Sequence, residues 1–157
     1  MMNRLKQFWR PERAAEQPKQ RRIIGIDVKL IPHKDHQFTT IGHWTGPEVD
    51  GIVRIYISRE ICWQNIVAVL FHELIEFFMC YSKGITTAEC DAFDELFEQE
   101  YDAGIWPKSV EAGFDPRCPY RKGHLWGTRF ERLVIWLIGG DWKACNKECD
   151  QLMLGGE

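Results

Sequence analysis

Residues 67–81 read VAVLFHELIEFFMCY. Twelve of these fifteen residues are apolar, and the other three, His72, Glu73 and Glu76, stand together in the middle. Apolar side chains recur nearly all round the helical projection, which predicts a helix buried on most sides. It is read from Arg59 or Glu60 to Ser82, with Gly84 as its stop. His72 and Glu76 are four apart and share a face, while Glu73 lies about 100° round and addresses the same region. A buried carboxylate without a partner costs several kcal/mol, so two of them beside an imidazole demand positive charge. Two sources are open. One is a divalent cation. The other is arginine, with Arg54, Arg129 or Arg132 closing a salt-bridged core and His72 acting as a hydrogen-bonded core histidine.

Upstream of this helix the pattern has period two. Ile24, Ile26, Val28 and Leu30 alternate with Gly25, Asp27 and Lys29, which predicts a strand. A second extended piece follows around QFTTIGHW, and GIVRIYIS (51–58), rich in β-branched residues, reads as a third. Turn signals at Gly46-Pro47 and Asp50-Gly51 separate these last two and predict a small antiparallel sheet. Downstream the pattern is helical. Thr86-Thr87-Ala88-Glu89 has capping-box form and opens a helix to about Ala103. Glycines and prolines over 104–119 mark a loop, and a third helix is expected from about Tyr120 to Ile138. Asp141 caps a short last helix, DWKACNKECDQLML. Strands first and helices afterwards argue an α+β fold with three to four helices.

The chain has 157 residues, enough for one domain over 23–157 with a sizeable core. Residues 1–22 are polar and basic and read as a flexible arm. A formal net charge of −3 gives no reason to expect nucleic acid or an anionic membrane as partner. No apolar run is long enough to span a bilayer, and Met1 to Arg22 lacks the apolar region of a signal peptide. Six cysteines without such a signal fit reduced thiols in a cytoplasm. Cys145 and Cys149, one helical turn apart, leave a shared metal open, although such a spacing more often carries no meaning.

The metal reading has a defined geometry. A histidine and a ligand four residues on can hold one ion from a single helix, with the intervening glutamate as general base. Here the pattern is HExxE, with His72 and Glu76 as ligands and Glu73 as base. A third ligand has two candidates. Asp94, in CDAFDELFEQE, is flanked by Phe93 and stands a turn before Phe97, so it is the acid of that helix expected to turn inward. His124, in PYRKGHLWGTRFERLVIWL, lies two turns before Glu131, which either frames the site or orients a ligand from behind. His33, His36 and His43 rank behind both. Zinc leads as the ion, and the oxygen ligands admit manganese or iron.

A strand (GIVRIYIS), a short link and a helix with LFHELIE resemble the small zincin-like metallopeptidases of the gluzincin type. That resemblance covers about residues 51 to 95. It implies a zincin-like core, a downstream acidic third ligand, zinc-activated water and a peptide or protein substrate. More of the chain is similar to a group of phage-type proteins with HELxE, a Gly-Ile turn, D-x-F-D and a later PY…H…ER helix start. Those elements here are His72 to Glu76, Gly84-Ile85, Asp91 to Asp94, and Pro119-Tyr120 through His124 to Glu131-Arg132. This likeness implies phage or prophage origin, hence a host cytoplasm, and favours His72, Glu73, Glu76, Asp94 and His124 as the functional set. Glu76 departs from the peptidase motif, which has a second histidine there. Two other functions stay open. Glu73-x-x-Glu76 with Asp91-x-x-Asp94 resembles the magnesium site of all-α nucleotide pyrophosphohydrolases of MazG type. A non-catalytic phage accessory protein binding a host factor through its arm and tryptophans is the third.

Overall fold

The computed structural model describes residues 22–47, 49–107 and 110–155. The basic arm expected over residues 1–22 lies outside these, Arg22 excepted. Three strands, β1 (Gly25–Ile31), β2 (Gly42–Thr45) and β3 (Ile52–Ser58), precede four helices. The helices are α1 (Trp63–Tyr81), α2 (Thr87–Asp102), α3 (Arg121–Leu137) and α4 (Trp142–Met153). The layout is α+β.

The sheet is mixed, which corrects the all-antiparallel expectation. Its order is β1-β3-β2, with β3 parallel to β1 and antiparallel to β2. β1 and β2 do not pair with each other, because the most apolar strand, β3, takes the centre between them. Val53, Ile55 and Ile57 alternate inward on β3 and are wholly buried, each worth roughly 1.5–3 kcal/mol of burial. The extended piece expected at QFTTIGHW shortens to β2, since Gln37 to Thr40 lie outside any strand.

Helix α1 begins at Trp63, three or four residues later than expected, because Arg59 and Glu60 form a turn. Its start is capped from α4: the Glu148 carboxylate accepts the Cys62 N–H at 3.0 Å and the Asn65 side-chain amide at 2.6 Å. An acid there complements the positive end of the helix dipole. The capping box of α2 forms as read, with Thr86 N–H donating to Glu89 Oε2 at 2.8 Å and Glu89 N–H to Thr86 Oγ1 at 3.3 Å. Asp141 caps α4 through the N–H groups of Lys143 and Ala144. Helix α1 packs on β2 and β3 and most extensively on α3. Among the described residues no helix is long and apolar enough to cross a membrane.

Candidate metal centre

His72, Glu73 and Glu76 lie where α1 is covered by both α3 and the sheet, and they are 7%, 6% and 7% exposed. Two glycines one turn apart on α3 make the approach possible. A Cβ at Gly127 would stand 2.7 Å from His72 Cγ, and one at Gly123 would stand 3.0 Å from Glu76 Cα. Residue 72 facing 127 and 76 facing 123 shows that the helices run antiparallel. Gly113, in the turn before α3, does the same for His124, whose Cγ would be 2.2 Å from an added Cβ.

Three ligand atoms converge in the space so created. His72 Nε2 lies 3.1 Å from His124 Nδ1, and Glu76 Oε2 lies 3.5 Å from each of them. A tetrahedral ion with bonds of about 2.0–2.1 Å needs ligand atoms about 3.3–3.4 Å apart. The observed triangle brackets that spacing. The other Glu76 oxygen, Oε1, accepts the indole N–H of Trp44 on β2 at 3.0 Å, which leaves Oε2 turned into the triangle.

The outer ring nitrogens face carboxylates. His72 Nδ1 lies 3.2 Å from Glu131 Oε1, and His124 Nε2 lies 3.4 Å from Glu111 Oε2. These are ion-pair contacts off the line of a hydrogen bond, so both buried nitrogens lack an aligned partner. Carboxylates only accept, so the proton of each neutral ring belongs on the outer nitrogen. With both rings neutral the inner nitrogens then present lone pairs to each other across 3.1 Å, an arrangement relieved by a metal cation between them or by a second proton on one ring.

Charge points the same way. Glu73, Glu76, Glu111 and Glu131 surround two imidazoles, and among the described residues no lysine or arginine pairs with any of the four. The arginines expected to close a salt-bridged core are engaged elsewhere. Arg54 pairs with Asp50, Arg129 lies over Trp126 at 4.8 Å, and Arg132 over Trp142 at 5.1 Å. Protons partly substitute for the missing cation. Burial, reinforced by Glu76, pushes the Glu73 carboxyl up to about 8. Burial would lower His124, but Glu111 and Glu76 outweigh it and raise the ring to about 9. Burial would likewise raise Glu76, but His124 and His72 hold it down to about 2.

The structure thus brings together His72, Glu76 and His124. It does not add Asp94, whose carboxylate instead accepts the Tyr120 hydroxyl. The reason is local: Tyr120, the residue before α3, engages the Asp94 carboxylate from α2. Nor do Glu73, Glu76, Asp91 and Asp94 meet at one point, since Glu76 alone of them joins a convergent group among the described residues. Cys145 and Cys149 join none. Glu131, expected either to frame the site or to support a ligand, stands behind His72. Glu111 had no signal, being an acid in an irregular loop, and the Gly123-x-x-x-Gly127 spacing was the overlooked clue to the helix contact.

The centre opens on a cavity of about 700 Å³ lined by Trp44, Glu73, Tyr120 and Phe114. Glu73 has no hydrogen bond or ion pair among the described residues, and its Oε1 rests against Gly42, where an added Cβ would lie 2.8 Å away. No family model, curated protein or solved structure matches the chain.

Proposed function

We propose that this is a metal-dependent hydrolase of zincin-like type that cleaves peptide bonds, working in a cytoplasm. The observation that supports it best is the triangle of His72 Nε2, His124 Nδ1 and Glu76 Oε2, with a carboxylate behind each ring. Two nitrogens and one oxygen suit zinc and leave a coordination position free, as catalytic zinc sites do. A zinc ion held there supplies a Lewis acid to polarise a carbonyl. Everything else falls to the chain. Glu131 and Glu111 fix the ring orientations, and the Trp44 indole fixes Glu76. Glu73, buried in the same cavity with no hydrogen bond or ion pair among the described residues, would take a proton from the attacking water and return it to the leaving amine, once a bound cation offsets the burial that raises its carboxyl. Six free thiols accord with a reducing compartment.

The test is elemental analysis by mass spectrometry on protein purified without a metal-affinity tag, followed by peptide hydrolysis. We expect about one zinc per chain, as the single triangle implies, and Glu73→Gln should keep the metal while losing hydrolysis by about 100-fold or more. A chain without stoichiometric metal, or a Glu73→Gln protein as active as its parent, overturns the reading.

A further inference from the structure

The carboxylates of α2 do more than solvate it. Asp91, Asp94, Glu98 and Asp102, spaced three, four and four apart, form one stripe of the helix and line the cavity above the metal centre. Glu111 and Asp150 line it from the loop and from α4. Among the described lining residues Arg132 is the single lysine or arginine, and its guanidinium lies over Trp142. Two of the stripe's acids are used inside the protein: Asp94 takes the Tyr120 hydroxyl, and Glu98 accepts the Thr39 N–H at 2.7 Å. Asp91 and Asp102 have no ion pair or hydrogen bond among the described residues, so their charge is directed to whatever enters.

A second observation comes from the floor of the cavity. The Glu73 carboxyl is 6% exposed and has no hydrogen bond or ion pair among the described residues, so the acidic lining, without a basic partner, continues from rim to floor. One divalent ion at the triangle offsets only part of it. Aromatic walls from Phe38, Phe97 and Phe114 lower the local dielectric, which focuses the field of the acids into the cleft. Aromatic faces beside carboxylates also suit the flat guanidinium and the long alkyl stems of basic side chains.

We infer that the cleft selects substrates with cationic side chains, lysine or arginine, next to the bond that is cut, with Asp91 and Asp102 as specificity-determining residues. This rests on the hydrolase reading for the cutting, but not for the binding. It also sets acidic peptides and nucleic acids against the charge of the cleft.

The experiment uses the full chain with Glu73→Gln, dialysed against zinc, so that binding is read without turnover. Two labelled peptides of the same length, one with arginines and one with glutamates at the same positions, are titrated by fluorescence anisotropy. The arginine peptide should bind about 10-fold tighter at low salt, and the difference should shrink as salt screens it. Adding Asp91→Asn with Asp102→Asn should remove about half of that preference on a logarithmic scale while zinc content stays unchanged. Equal binding, no binding of either peptide, or preference for the glutamate peptide overturns the inference. Zinc content, measured on the same samples, separates the two claims. A chain that takes no zinc but prefers arginine sinks the hydrolase reading alone, and a zinc-loaded chain without preference sinks this one alone.

Discussion

The molecule has two histidine clusters, and among the described residues only one converges with a carboxylate as a group that could hold a metal. At the α1–α3 contact, His72 and His124 face each other across 3.1 Å. Around β2 and β3, His36 and His43 do so across 2.9 Å between their Nδ1 atoms. The second group continues as a chain, since His36 Nε2 lies 3.1 Å from Ser58 Oγ and His33 Nδ1 lies 2.9 Å from the same oxygen. One proton per link satisfies that whole chain, in either direction, with no ion. The first cluster is satisfied by protons only if one ring is charged, as His124 is when its acids raise it to about 9. Carboxylates behind both rings hold the protons outward, and a third ligand, Glu76, closes the triangle. Close ring nitrogens alone therefore do not mark a candidate metal centre; the acids around them do.

The comparison breaks most readily on metal content. His72→Ala or His124→Ala should take the bound metal from about one ion per chain to none, whereas His36→Ala should leave it unchanged, both read by elemental analysis. Metal lost from His36→Ala but retained in His72→Ala would reverse the assignment. A smaller effect tests the supporting acids. Glu131→Gln keeps the shape but weakens the outward pull on the His72 proton, and zinc affinity should fall about 10–100-fold in a competition titration with a chelating dye. Glu111 is half exposed, with 47% of its side chain accessible, so Glu111→Gln should cost less.

The gentlest test is pH on chelator-treated protein. His124 is raised in the fold to about 9 from an ordinary 6.5, so its contribution is full below 6.5 and is lost as pH climbs towards 9. Glu73, raised to about 8, adds to that loss, because unfolding frees a carboxyl that the fold kept protonated. The β2–β3 cluster has the opposite sign. Burial and, secondarily, the neighbouring histidines hold His36 and His43 down to about 4. The unfolded chain binds more protons between about 4 and 6.5, so stability falls as pH drops through that window. Melting temperatures should thus decline towards pH 9 through one cluster and towards pH 4 through the other. Bound zinc should flatten the alkaline limb alone, because its ligands are already deprotonated. An alkaline limb that is equally steep with and without zinc would separate the metal from this cluster.

Much of the fold was legible because its signals are local. The Thr86–Glu89 capping box, the Asp141 cap and the alternating β3 each depend on residues a few positions apart. The sheet order was not, since nothing in β1 says that a strand two elements later will lie beside it. The same boundary divides the site. His72, Glu73 and Glu76 were readable from one helix, and His124 from its place at the start of another. Asp94 misled, because being flanked by phenylalanines says that a side chain turns inward without saying what it meets. Glu111 lay in a loop with no periodicity to place it.

The glycines around the centre bear on how such a chain can drift. Gly127, Gly123 and Gly113 bear no ligand atoms, yet any side chain there would run into His72, Glu76 or His124. A comprehensive map of tolerated substitutions would therefore outline a region larger than the metal-binding set, with bare backbone positions as intolerant as the ligands. Under selection for the ion, variation would be admitted on the outer faces of α1 and α3 long before it was admitted along the seam between them.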